Sequence, residues 1–362
     1  MKKLKLTKLL ASTLIIASVL ALNPMAASAE WKQDDKGWWY TEGNSWARGW
    51  RDIDGNLYYF KSNGYMMNNS SNMFFDKDYG LDSNGNFTNV TINGDWAFCK
   101  STGKIVTYLG SESNINIPDK IDDITVTGIG AFAFGSPKIT SVTIPSTITT
   151  IGVGAFGGCV NLTNVVIPNS VKTISDHAFA DCRNLSTISI PGSVTKMGDA
   201  VFLNCNNLTN VTVADGVTFL GYDTFSGCTN LASLSLPSTL TSIGYSTFEG
   251  CISLNNIVIP SSVTSIGKDA FYYCTKLTSL TLPDGVTDIG LGAFKDCTNL
   301  TSITIPSSLQ NIETHENDPD DTVVETNLFE GCNNVTIYVT SDTTKELLVA
   351  SGVSEDKITI YS

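Results

Sequence analysis

Seven cysteines recur at intervals of 23 residues, at Cys159, Cys182, Cys205, Cys228, Cys251, Cys274 and Cys297. Around each the same phrase returns, as in Ala270-Phe271-Tyr272-Tyr273-Cys274-Thr275-Lys276-Leu277 followed by Leu280-Thr281-Leu282-Pro283. A period of this length predicts a solenoid. One repeat is too small to bury its own apolar face, and stacking neighbours creates a continuous core. A chain committed to that shape is a scaffold with an extended surface. The functional question becomes what it binds rather than which reaction it runs.

Within one repeat, Leu277, Leu280 and Leu282 predict a short strand, the last two pointing inward around Thr281. Proline closes the strand at Pro145, Pro168, Pro191, Pro237, Pro260, Pro283 and Pro306, with Ala214 as the one substitution. Proline has no ladder donor and belongs at a strand's end. Ile289-Gly290 begins the return side, where the glycine is expected to permit a turn that other residues cannot make. The fold class is therefore a mainly β repeat solenoid. Strands in a sheet lie about 4.8 Å apart, within Cα range for disulfides. An odd ladder of seven cannot fully pair, however, and no second ligand type repeats beside it. The cysteines read as a structural ladder of buried free thiols; Cys99 and Cys332 lie off the spacing.

Residues 1–29 read as an export signal. Lys2, Lys3, Lys5 and Lys8 precede an apolar run from Leu9 to Leu22, and Ala27-Ser28-Ala29 offers small residues for cleavage. The run is shorter than the 18 or so residues of a membrane span, and no transmembrane segment is expected after cleavage. Removing those lysines takes the net charge from −13 to −17. Nucleic acid is excluded as a partner, because its phosphates need Lys and Arg.

Composition shifts near residue 96. All six tryptophans lie at or before Trp96, and residues 30–67 hold ten aromatics. Asp54-Gly55-Asn56 and Ser62-Asn63-Gly64 are turn signals around Leu57-Tyr58-Tyr59-Phe60. Gly37-Trp38-Trp39-Tyr40 aligns with Asn56-Leu57-Tyr58-Tyr59, so a unit of about 20 residues occurs twice, and Asp82-Ser83-Asn84-Gly85 marks one more turn. The expected organisation is 1–29 signal, 30–92 hairpin module, 93–340 solenoid and 341–362 cap. In the cap, Thr344-Lys345-Glu346-Leu347-Leu348 is expected to form a short helix before a last strand from Lys357 to Tyr361.

The hairpin phrase, from Gly37-Trp38-Trp39-Tyr40 through Gly49-Trp50 to Asn63-Gly64-Tyr65-Met66, resembles the choline-binding or cell-wall-binding repeats of Gram-positive surface proteins. That resemblance implies stacked hairpins whose aromatics cage the quaternary ammonium of choline on teichoic acids. Ring faces attract a desolvated cation by about 0.5–2 kcal/mol each. Matched to the motif, Trp38 and Trp50 with Tyr58 or Tyr59 are the cage candidates, and Trp39 belongs to the same wall-binding set. Leu57 stands where the family has an aromatic.

The 23-residue unit, Leu-Thr-Ser-Ile-Thr-Ile-Pro-Ser-Ser at 300–308 with Ile-Gly-x-x-Ala-Phe-x-x-Cys at 266–274, resembles the BspA-type leucine-rich repeat. That implies a right-handed solenoid on a bacterial surface, used for adhesion. Ala131-Phe132 sits one position early, and Ser136 replaces the cysteine there.

Catalysis lacks its parts. His177 and His315 are the only histidines, and His177, in Asp176-His177-Ala178-Phe179, reads as a solvated turn residue. No serine-histidine-aspartate or zinc arrangement is indicated, and the carboxylates are scattered. No enzyme and no cofactor are expected. An insertion of 12 residues lengthens the interval from Cys297 to Cys332, around residues 313–325. Glu316, Asp318 and Asp320 lack a glycine-centred calcium loop, so the stretch reads as a solvated loop. Asp76-x-Asp78-x-Gly80 reads as a hairpin turn.

The outward strand positions form a flat, small, uncharged set: Asn164 and Val166, Thr187 and Ser189, Asn210 and Thr212, and so on to Ser302 and Thr304. No aromatic anchor stands among them, which favours broad or multivalent contact. The expected protein is secreted and held on the cell wall by its aromatic repeats. Its solenoid would meet a protein or glycan of a host or neighbouring cell. Alternatives are a structural envelope or spore-coat component, and an accessory chain of a wall hydrolase.

Overall fold

The computed structural model describes residues 29–67, 80–313 and 328–361. The export signal up to residue 28, Asp76, Asp78, His315 and the insertion residues Glu316, Asp318 and Asp320 lie outside the described residues.

The repeats form a mainly β, right-handed leucine-rich-repeat solenoid. Each coil contributes up to two short parallel strands, in separate columns. The first column holds Thr187–Ile190, Asn210–Val213 and Ser233–Ser235 in one sheet, with Ser279–Thr281, Ser302–Ile305, Thr336–Val339 and Ile358–Ile360 in another. Register follows the period: Thr187 faces Asn210 and Ser279 faces Ser302, each 23 residues on. The second column is made of two-residue strands such as Thr150–Ile151, Thr173–Ile174 and Lys196–Met197. Alternation along each first-column strand sends Ile188 and Ile190 inward and Thr187 and Ser189 outward. The prolines sit just after this column. Their carbonyls accept a turn bond from the third residue on, as Leu240 N–H donates to Pro237 O at 3.1 Å.

One continuous core runs from Phe98 to Val353. Its spine is a column of phenylalanines: Phe134, Phe156, Phe179, Phe202, Phe225, Phe248, Phe271, Phe294 and Phe329 stack ring on ring. Centroids are 5.0 Å apart at the Phe134–Phe156 end and 5.8 Å at Phe225–Phe248. Planes are within 24° of parallel throughout. Identical residues at a fixed period reach the same place on successive coils, which is what allows face-to-face stacking.

Two sequence expectations are corrected here. The column begins at Phe134, not at Phe132. Phe132 adopts a left-handed backbone (φ 55°) and turns its ring toward Tyr59 of the hairpins, at 6.2 Å. The Ile-Gly glycines do not serve a left-handed turn either. Gly267 is not at positive φ. It is glycine because a Cβ there would lie 2.6 Å from Tyr245 N and 2.7 Å from Gly244 C on the preceding coil. The left-handed position comes two residues later, at His177, Ala200, Asp223, Ser246 and Asp269, with φ between 47° and 57°.

At the N-terminal end Thr91–Asn93, Trp96–Cys99 and Lys104–Tyr108 form an antiparallel meander, and the last of these pairs in parallel with Gly128–Ile129. The meander closes the sheet edge that a bare coil would expose. At the other end, helix Asp342–Ala350 starts at Ser341, whose hydroxyl accepts from Thr344 N–H at 3.1 Å. Strand Ile358–Ile360 then adds in parallel to Thr336–Val339. The helix and last strand are where the sequence set them. Cys332 and Phe329 rejoin their columns after the insertion.

The aromatic segment folds as hairpins. Trp31–Asp34 pairs with Gly37–Glu42, which pairs with Ser45–Trp46, and Gly49–Ile53 pairs with Asn56–Phe60. Beyond them Leu81 bridges Phe87 around the Asp82–Gly85 turn.

Candidate binding surfaces

Three regions could carry function: the cysteine ladder, the hairpin aromatics and the outer face of the strands. The ladder cysteines are all free and fully buried. Each thiol donates to the carbonyl of a phenylalanine on the preceding coil: Cys159 to Phe134 at 2.8 Å, Cys228 to Phe202 at 3.3 Å, Cys297 to Phe271 at 3.1 Å. Cys182, Cys205, Cys251 and Cys274 repeat the bond at 3.2 Å. The cysteine is thus a small apolar group that also satisfies a buried carbonyl. Burial pushes the Cys159 thiol up to about 12 and holds those of Cys182, Cys205, Cys228 and Cys251 well above the usual range. A thiol held neutral near pH 7 is a poor nucleophile and a poor metal ligand.

Among the described residues no group of three or more His, Cys, Asp or Glu converges as a metal site would. His177 is exposed. A leucine-rich-repeat solenoid presents an extended contact surface. Among the described residues no helix is long and apolar enough to cross a membrane.

The hairpin aromatics divide into two clusters. Trp31 is the hub of one. Its ring meets Trp38 at 6.3 Å and 84°, Tyr40 at 5.2 Å and 63°, and Tyr58 at 4.9 Å and 72°. Ala47, Ile53 and Phe60 form the floor of this cluster. Trp39 lies apart, edge-on to Tyr65 at 5.8 Å. The other cluster holds Trp50, which meets Tyr59 at 5.1 Å and Phe87 at 4.7 Å. Trp50 is only 8% exposed, and its indole N–H donates to Phe132 O at 3.1 Å. With Leu57, Met67, Leu81 and Phe87 it packs on Ala97, Cys99 and Val106 of the meander. The candidate set is therefore split. Trp38 and Tyr58 share the Trp31 cluster, half-buried, whereas Trp50 and Tyr59 fasten the hairpins to the solenoid. A cavity of about 790 Å³ opens at this junction, lined in part by Arg48, Trp50, Tyr59, Asp95, Tyr108 and Phe132. Sequence reasoning missed Trp31 as the hub and gave Trp50 no anchoring role. Its indole partner lies 82 residues away, and no local pattern reports it.

The outer face of the strands is exposed from Asn164 to Thr281 and half-buried at Ser302 and Thr304. Two valines interrupt its polar character, Val166 at 69% and Val258 at 75% exposure. A shallow depression of about 540 Å³ lies along Asn164, Val166, Thr187, Ser189, Asn210 and Thr212. On the loops that follow the cysteines, Asn184, Asn207 and Asn230 each donate to the asparagine one coil back at 3.1–3.3 Å, beginning from Asn161. This amide ladder stiffens one flank of the surface and was not anticipated.

Comparison with known proteins agrees with this architecture. Residues 127–232 and 218–316, together more than half of the chain, match the BspA type leucine rich repeat region in six copies. Among solved structures the chain is similar to the leucine-rich repeat protein of T. pallidum (30% identity, covering 57% of this chain and 89% of that one, TM-score 0.47). It is also similar to a leucine rich cell surface protein of Faecalibacterium prausnitzii (23%, 72% and 97%, TM-score 0.33). A third similarity is to the pneumococcal vaccine antigen PcpA (18%, 87% and 100%, TM-score 0.30). Among curated proteins none matches significantly. With its 23-residue period, its stacked coils and this match over most of the repeats, the chain belongs to the BspA-type leucine-rich-repeat family.

Proposed function

We propose that this is a secreted surface protein held on the cell wall by its aromatic hairpins (residues 30–92), with the solenoid (93–340, capped by 341–362) offered to a protein or glycan of another cell. The observation that carries the wall assignment is the Trp31 cluster. Trp31, Trp38 and Tyr58 meet edge to face at 72–84° and stay half-buried. Perpendicular electron-rich rings of this kind form walls that suit a quaternary ammonium such as choline on teichoic acid. Trp39 with Tyr65 offers a second, smaller pair. Trp50 and Tyr59 contribute by holding the hairpins in place. The broad polar strand face supports the adhesive half of the reading, since it spreads contact over many coils instead of concentrating it in one anchor.

Deleting the hairpins would uncover Ala97, Cys99 and Val106, so substitution is the cleaner test. Full-length protein carrying Trp38→Ala should be lost from purified walls at least several-fold more readily than the parent, and free choline should release the parent. Retention equal to the parent's would remove Trp38 from the site. Retention equal in a Trp31→Ala, Trp38→Ala, Trp39→Ala triple variant that still melts like the parent would remove the whole assignment.

A further inference from the structure

The solenoid carries an exposed aromatic patch away from the strand face. On the second column and the turn after it, Phe219, Tyr222 and Tyr245 are 41%, 50% and 38% exposed. Their rings touch edge to face: Phe219 to Tyr222 at 6.4 Å and 79°, Tyr222 to Tyr245 at 6.2 Å and 80°. The fold does not need them. Phe219 shares its place with Thr150, Thr173, Ser242 and Ser265 on other coils, and Tyr222 and Tyr245 share theirs with Asp176, Asp199 and Lys268. Polar residues serve the same coil geometry, so three large rings in water on neighbouring coils call for a partner.

The surroundings give the sign of that partner. Asp199 accepts from Tyr222 N–H at 2.8 Å. Asp223 follows Tyr222 directly, with its N–H donating to Tyr245 O at 2.9 Å. Burial, then the charges of Glu249 and Asp199, hold the Asp223 carboxyl above its usual range. Asp269, one coil further, is likewise raised by burial, with Glu249 adding to the effect. The basic side chains facing this group are His177, Lys268 and Lys295, and Lys295 is engaged by Glu330 at 2.8 Å. Lys268 supplies a further observation: its ammonium lies 5.7 Å from the Tyr245 ring centroid. A cation on a tyrosine face at the edge of the patch is the contact that the neighbouring rings can offer to another molecule.

We infer that Phe219, Tyr222 and Tyr245, ringed by Asp199, Asp223, Glu249 and Asp269, form a docking site for a lysine- or arginine-bearing segment of a protein partner. Guanidinium groups stack on tyrosine faces while their N–H groups reach carboxylates, and the site presents both on successive coils. It is independent of the wall-binding reading, because no hairpin residue takes part.

The test titrates the full chain with a ten-residue peptide alternating Arg and Ser, followed by isothermal calorimetry, with an alternating Glu and Ser peptide as control. Saturable binding of the Arg peptide alone is expected, weakening as salt rises. Tyr222→Ser with Tyr245→Ser should lower affinity about tenfold, the product of two cation–ring contacts. Glu249→Gln should lower it a few-fold, and Thr298→Ala on an exposed loop of another coil should leave it unchanged. The tyrosines are exposed, so the double variant should melt with the parent. If it does not, Glu249→Gln decides alone. Equal binding by parent and variants, or no saturable binding of the Arg peptide, overturns the proposal. So does sedimentation showing that the patch pairs two copies of the chain.

Discussion

The solenoid and the hairpins are both built from short β units, but the core column of the one and the ring clusters of the other pack in opposite ways. In the solenoid a phenylalanine sits on the phenylalanine of the next coil with planes within 24° of parallel. In the hairpins most rings meet edge-on, as Trp31 meets Trp38 at 84° and Trp39 meets Tyr65 at 78°. A strict period brings equal side chains to equal places, so faces cover faces and the column is sealed. Units that drift in length and sequence bring unequal rings together, edges fill gaps, and faces are left over. The sealed column is suited to stiffness, whereas most hairpin rings stay half-buried.

The largest test of that contrast is Phe225→Ala. It removes one member of a continuous column with a ring on either side. It should cost about 3–5 kcal/mol, read as an earlier urea transition for the solenoid. Phe60→Ala is the counterpart. Phe60 is as well buried but packs among hairpin residues, so its loss should loosen the hairpins in hydrogen exchange and leave the solenoid transition in place. A solenoid transition that moves equally for both would mean the two regions share one cooperative unit.

Gly267→Ala comes next. Its Cβ would press on backbone atoms of the preceding coil, which cannot swing away as a side chain could. About 1–3 kcal/mol of overpacking is expected, seen in the same urea curves. A smaller effect attaches to Trp50→Phe. An aromatic ring is kept at the site, but a smaller one, and the bond to Phe132 O goes. About 0.5–1.5 kcal/mol of docking free energy should be lost, visible as faster exchange of hairpin amides with solenoid amides unchanged.

The smallest effect near neutral pH concerns the thiols. The Cys159 pKa stands at about 12 in the fold, against about 8.5 for a free cysteine. A raised folded value means this stabilisation is complete below the ordinary thiol range and is lost as pH rises toward the folded value. Unfolding free energy should therefore be level from pH 7 to about 8 and fall progressively above about 9. Cysteine-to-alanine variants along the ladder should flatten that fall.

Much of the solenoid was legible because its period is written in residues with one dominant role. The Pro that ends a strand, the alternating Ile and Thr, and the Ala-Phe-x-x-Cys phrase each fix a place on the coil. Phe132 was misread because Ala131-Phe132 and Ala133-Phe134 are the same dipeptide two residues apart; the Ile-Gly-x-x-Ala-Phe spacing counted from Ile129 selects Phe134 and leaves Phe132 on the recurrent left-handed position. The glycine role was misassigned for a similar reason: a close approach between coils leaves the same residue as a strained turn. The tyrosine patch carries no motif along the chain, because Phe219, Tyr222 and Tyr245 depart from their own columns one coil at a time and show only down the stack.

The central claim is one interior shared by successive coils, with the cysteine ladder sealed inside it as free thiols. Alkylation of the native protein by iodoacetamide, followed by mass spectrometry before and after denaturation without reductant, tests it directly. The account predicts that Cys159 through Cys297 stay unlabelled in the fold and that all seven are labelled once it is lost. A ladder cysteine modified in the native protein, or one still unmodified after denaturation because it is joined to another, would contradict it.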